Sequence, residues 1–143
     1  MNLRSFSALA LAGALLFGLP AKPASAGTLF DDLGGAPGAT KVIDDFLGFV
    51  VADGRINHYF AHADVPRLRA NLIGLVCQAT GGPCKYEGRS MPDAHKGMHI
   101  TEADFNALVE DLEKSLDKNA VPFTTQNRLL AILAPLESQV DYK

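Results

Sequence analysis

An all-α fold is what this chain predicts, and three observations carry the prediction. Apolar residues recur at three- and four-residue steps over four stretches, the period of one helix face. No stretch alternates over five or more residues with the β-branched enrichment of a strand. Gly and Pro clusters separate the periodic stretches and set where helices stop.

The first helix is expected over residues 36–52, with Val42, Ile43, Phe46, Leu47 and Val50 on one face. Gly54 breaks it, and a turn over residues 55–60 follows, where His58 and His62 flank Phe60 in polar surroundings and are read as exposed. A second helix spans residues 65–80: Pro66 is tolerated in its first turn, Leu68, Leu72, Leu75, Val76 and Ala79 make its stripe, and Gly81-Gly82-Pro83 ends it. Residues 86–90 are loop, and residues 91–96 allow one or two turns. Thr101 with Asp104 has the form of an N-cap and opens a third helix to about Asp117, through Phe105, Leu108, Val109 and Leu112. After a break at residues 119–122, a last helix carries Leu129, Leu130, Ile132, Leu133 and Leu136, with Pro135 kinking it or ending it early.

Residues 1–26 read as a secretory signal rather than as fold. Arg4 supplies the positive start, residues 5–19 an apolar run, and Ala24-Ser25-Ala26 a small-residue cut before Gly27. The run is short and weakly flanked for a membrane span, although an uncleaved anchor helix is the alternative. No cysteine sits at the cut, which argues against a lipoprotein. The expectation is an exported chain, with the periplasm as its destination, and a single domain over residues 27–143. Loss of Arg4 and Lys22 takes the formal charge from −3 to −5, because residues 1–26 hold no acid. A mildly acidic surface argues against nucleic acid, or an anionic membrane once the signal is gone, as partner.

Cys77 and Cys84 stand seven positions apart and bracket the Gly81-Gly82-Pro83 turn. In an oxidising compartment they can close as a local staple worth about 2–3 kcal/mol, or they can remain two thiols; the residues leave both open. The spacing is not the two-residue gap favoured by metal and redox pairs.

Helices with such stripes would close as an ordinary bundle. That reading leaves unexplained the glycine pairs and the Gly81–His95 stretch, where an aromatic and a Met-Pro-Asp-Ala-His string separate two apolar helices. His95 has a neighbour at His99, and an H-x-x-x-H pair could hold a small metal, but Gly97 interrupts any helix between them. A plain surface histidine is the third possibility.

Leu33-Gly34-Gly35, Asp45-Phe46, Phe60, Gly81-Gly82, Lys85-Tyr86, Met91 and Ala94-His95 resemble, in order and spacing, the group I truncated haemoglobins, from Leu29 to about Pro135. The resemblance implies a two-over-two helical sandwich around one haem b (protohaem) per chain, with His95 as the proximal iron ligand on a very short helix. It implies cofactor contacts from Phe46, Leu47, Phe60, Leu68, Leu72, Tyr86, Met91 and Phe105, with Leu108 as a further apolar wall. It also implies a diatomic gas (O2, CO or NO) as ligand, for carriage, buffering or sensing, with a reductant as a further partner.

The departure from the family lies on the distal side. Many relatives place a tyrosine just after the Asp-Phe pair and a glutamine or histidine on the facing helix; here those positions hold Leu47, Leu68 and Leu72, with Asn71 beside them. A bound O2 that meets no donor there should lose about 1–3 kcal/mol of affinity, while CO and NO should lose less. Tyr59, Gln78 or a displaced Asn71 are the remaining candidate donors. Cys77, about 900° of helical rotation beyond Leu68, should point away from the haem. Two other functions stay open: a nitric-oxide dioxygenase on the same fold, and a cofactor-free helical interaction module.

Overall fold

The computed structural model describes residues 27–140, so the expected signal and its cut lie outside the described residues. Among the described residues every regular element is helical. They are α1 (Leu29–Asp32), α2 (Gly35–Ala52), a 3₁₀ turn (Asn57–Phe60), α3 (Val65–Ala79), α4 (Met91–His95), α5 (Glu102–Lys118), α6 (Phe123–Leu133), a second 3₁₀ turn (Ala134–Leu136) and α7 (Glu137–Val140). None of these helices is long and apolar enough to cross a membrane.

Local chemistry sets the helix starts. The Thr101 hydroxyl accepts from the Asp104 N–H while the Asp104 carboxylate accepts from the Thr101 N–H, a complete capping box at the start of α5. Thr28 and Asp31 make the same box for α1, a helix that the apolar pattern does not predict because it is little more than one turn long. Asp64 caps α3 and Ser90 caps α4, each with a proline in the first turn, where no N–H is needed. Pro135 acts as expected: α6 stops at Leu133 and the chain tightens into the second 3₁₀ turn.

The turn from α1 into α2 depends on glycine. Gly34 and Gly35 take φ of +88° and +63°, and a Cβ on Gly38 would lie 1.9 Å from the Leu33 carbonyl oxygen. The end of α1 can therefore sit directly on the first turn of α2.

The α2 helix is the centre of the molecule, with α3 and α5 packed on it, α1 against both α2 and α6, and α4 against α7. Its buried face, Ala39, Val42, Ile43, Phe46, Leu47 and Val50, meets Val76 and Cys77 of α3, Ala107, Leu112 and Leu116 of α5, and Leu129 of α6 in one core. Each large aliphatic side chain buried there contributes about 1.5–3 kcal/mol. Polar ties fix how α5 lies on α2: the buried Ser115 hydroxyl donates to the Val42 carbonyl at 2.8 Å, and Lys118 and Asn119 donate to Asp45 at 2.6 and 2.8 Å.

Beyond α2, the Arg55 side chain and then its backbone N–H donate to Asp53, and together they hold that carboxyl down at about 2. Arg55 also reaches Glu110 on α5 at 2.7 Å, so the turn is pinned to α5. A depressed folded pKa gives stability that is full above the unfolded value of about 3.9 and is lost as pH falls toward the folded value. Asp53→Asn is accordingly expected to unfold at lower denaturant than the wild type at pH 7. The gap between the two should close as pH falls from about 4 toward 2; a constant gap across that range would show that the carboxylate charge is not what matters.

Candidate haem site

His95 closes α4, a helix of five residues started by the Ser90 cap and Pro92. Its Nδ1 lies 2.7 Å from the Met91 carbonyl oxygen. A carbonyl can only accept, so Nδ1 carries a hydrogen, and in the neutral ring Nε2 keeps its lone pair. One hydrogen bond thus sets the tautomer, holds the ring and prepares Nε2 as a ligand, which is the usual arrangement behind a metal-bound histidine.

His99 does not join it on a helix. α4 ends at His95, Gly97 turns the chain at φ +78°, and His99 itself sits at φ +54°. Among the described residues no group of three or more His, Cys, Asp or Glu side chains is placed to hold a metal ion. His95 Nε2 offers one imidazole donor, and His99 borders the same cleft.

The apolar side chains expected to hold the cofactor divide into two layers. Phe46 and Leu47 are core residues, 6% and 9% exposed, and Phe60, Leu68, Leu72 and Leu108 pack against the edge of that core. Tyr86, Met91, His95 and Phe105 are half-buried outside it. The helices α3, α4 and α5 make no extensive contact with one another, since α3 and α5 rest on α2 and α4 rests on α7. Each of the three carries half-buried apolar side chains, Leu68 and Leu72 on α3, Met91 on α4, and Phe105 and Leu108 on α5. The cleft immediately beside His95, bordered by Pro92, Lys96, Gly97, His99, Gln139 and Val140, is about 200 Å³. That is below the usual 300–1,000 Å³ of a cofactor site, so this cleft alone does not hold a macrocycle.

The Tyr59 hydroxyl donates to Asp104 at 3.0 Å, and Gln78 is exposed with its Oε1 accepting from the Tyr86 N–H at 2.6 Å. Both have other partners, while Asn71 is half-buried on α3 between the leucines. The Tyr86 hydroxyl donates to the Arg89 carbonyl at 2.8 Å and so shapes the loop that leads into α4. His58 and His62 are exposed, as expected. The cysteine question, open in the sequence, resolves to a disulfide between Cys77 and Cys84 with Cα atoms 5.7 Å apart. Cys77 is fully buried and has no thiolate to offer an iron.

Residues 28–142 match the family model of the bacterial-like globins. The chain belongs to the truncated globins. The group 1 truncated hemoglobin GlbN of Mycolicibacterium paratuberculosis is 30% identical to this globin over 120 residues, covering 84% of this chain and 86% of the relative. The corresponding GlbN of Synechocystis is 36% identical over 99 residues, 66% of this chain and 80% of the relative. In three dimensions, the crystal structure of truncated hemoglobin from Tetrahymena pyriformis in its Fe(III) form superposes with a TM-score of 0.79 at 26% identity, covering 82% of this globin and all of that chain. The fold is the two-on-two globin fold, its cofactor is haem b, and its ligand is a diatomic gas.

The residues present fit that group. Half-buried Phe60, Leu68, Leu72, Met91, Phe105 and Leu108 are apolar side chains of the kind a porphyrin's walls require, and His95 Nε2 is an imidazole donor of the kind that would hold its iron. The Met91 carbonyl was not singled out by sequence reasoning as the partner of His95. Its signal was present, because a four-residue step back from a histidine on a helix reaches a carbonyl on the same face.

Proposed function

We propose that this globin holds haem b through His95 Nε2, as a group I member, and binds a diatomic ligand on an apolar distal side, discriminating against O2 in favour of CO and NO. The bound iron supplies an open position for the gas and a one-electron redox couple. The protein's part is to orient His95 through the Met91 carbonyl, to exclude water with Leu47, Leu68 and Leu72, and to offer a ligand that gains negative charge no hydrogen bond from Tyr59. The orientation of His95 is the observation that carries the axial assignment. For the distal side, support comes from Leu47, 9% exposed where many relatives carry tyrosine, and from Tyr59 and Gln78 being paired elsewhere.

An apolar distal side favours reversible gas binding over NO dioxygenation, which needs O2 retained long enough to react with NO and a donor of electrons to restore the ferrous state. We also place the mature protein outside the cytoplasm, in the periplasm, cut after Ala26. The Cys77–Cys84 disulfide supports this, because such bonds persist in oxidising compartments.

The deciding experiment is an absorption spectrum of the purified protein, as isolated and after reduction under CO. A Soret band that shifts with CO is expected, with fast O2 release when O2 replaces CO. A folded, colourless protein that takes up no added haem would return the chain to a helical interaction module. O2 release as slow as in a tyrosine-bearing relative would overturn the apolar distal side.

A further inference from the structure

We propose that the Cys77–Cys84 disulfide is a thiol-exchange site through which a dithiol oxidoreductase sets how tightly this globin retains its haem. The bond joins the last turn of α3 to the loop that delivers α4, and so clamps the helix carrying Leu68 and Leu72 to the segment carrying His95. Since α3 and α4 make no extensive direct contact, this turn joins them covalently while α3 is seated on α2 and α4 on α7. Two hydrogen bonds assist the bond there, from the Gly82 N–H to the Cys77 carbonyl at 2.8 Å and from the Tyr86 N–H to Gln78 Oε1 at 2.6 Å.

The two cysteines differ in a way that directs the chemistry. Cys77 is fully buried and Cys84 is exposed, so an incoming thiolate attacks the Cys84 sulfur. The sulfur–sulfur bond breaks, and its electron pair leaves on Cys77, which takes up a proton. The second thiolate of the dithiol then attacks its own sulfur in the mixed disulfide and releases Cys84, which takes up the second proton. Two electrons and two protons have passed from the dithiol, now a disulfide, to the pair of cysteines.

Separated thiols need more room than a bond, and the fold decides which side yields. A Cβ on Gly82 would lie 2.6 Å from Cys77 Sγ and 2.8 Å from the Phe30 ring, so the turn already rests on the buried sulfur with no slack. Cys77 is held in the core, and the loop moves outward, carrying Tyr86 and the approach to α4 with it. The ring closed by the bond is short, and its loop entropy corresponds to a factor on the order of 50 in local opening. Haem loss is expected to accelerate severalfold, with that factor of about 50 as its ceiling.

The proposal rests on the haem reading, which the Soret band of the untreated protein tests separately. Its own test compares hemin transfer to an excess of an apoglobin acceptor from the oxidised holoprotein and from holoprotein reduced with dithiothreitol and then freed of reductant under nitrogen. Thiol titration confirms opening, and circular dichroism confirms that the helices persist. Cys84→Ser, a change at an exposed position, should lose hemin at the fast rate and ignore the reductant. Equal hemin loss from the oxidised and reduced wild type would overturn the proposal. So would a bond that neither dithiothreitol nor a thioredoxin-type protein opens without denaturant.

Discussion

The His95→Ala protein is expected to bind hemin roughly 100-fold more weakly than the wild type, and to regain a globin-like Soret band when imidazole is added. The first effect follows from loss of the single imidazole whose Nδ1–H is held by the Met91 carbonyl, leaving Nε2 as the donor. The second separates ligation from folding, because free imidazole replaces the ligand and not the helix. His95 is half-buried at the end of α4 and lies outside the main core, so its truncation removes little packing. Hemin titration with and without imidazole reads both effects. Unchanged hemin affinity in His95→Ala would move the axial role to another residue, and His99→Ala is the control that would show it.

Leu47→Tyr should slow O2 dissociation about 5- to 150-fold, the range set by one hydrogen bond of about 1–3 kcal/mol to a ligand that gains negative charge, with a smaller change for CO. Leu47 is 9% exposed in the α2 face that belongs to the core, so a larger side chain also brings crowding, about 1–3 kcal/mol in a well-packed site. Leu47→Phe carries the size without the hydroxyl and removes that ambiguity. Stopped-flow displacement of O2 by CO reads the rates. Equal O2 release from the tyrosine and phenylalanine variants would show that the hydroxyl at this position does not reach the ligand, and the distal argument built on Leu47 would fail.

The helices were legible because their signals are local. Val42, Ile43, Phe46, Leu47 and Val50 repeat at helical spacing, and all five are buried in α2. The Thr101–Asp104 box and Pro135 marked the start of α5 and the stop of α6. α1 escaped only because its Thr28–Asp31 box precedes four residues, too few to show a period. Phe46 and Leu47, the buried members of the candidate site, were legible as apolar positions, but their distinction from half-buried Phe60, Leu68 and Leu72 was not. Burial depends on which helix lies opposite, and a stripe does not name its partner.

By itself, then, the sequence determined the helical class, the order of the four longer helices, the cap at Thr101 and the one histidine set apart on a short turn, because each depends on residues within a few positions of one another. Tertiary structure alone decided that Cys77 and Cys84 are joined, that Tyr59 is bound to Asp104, and that α2 lies between α3 and α5. The alternatives in each case were equally compatible with local chemistry. A hydroxyl 45 residues from its acceptor, or a thiol that pairs only if a turn folds back on a helix, has its partner chosen by packing.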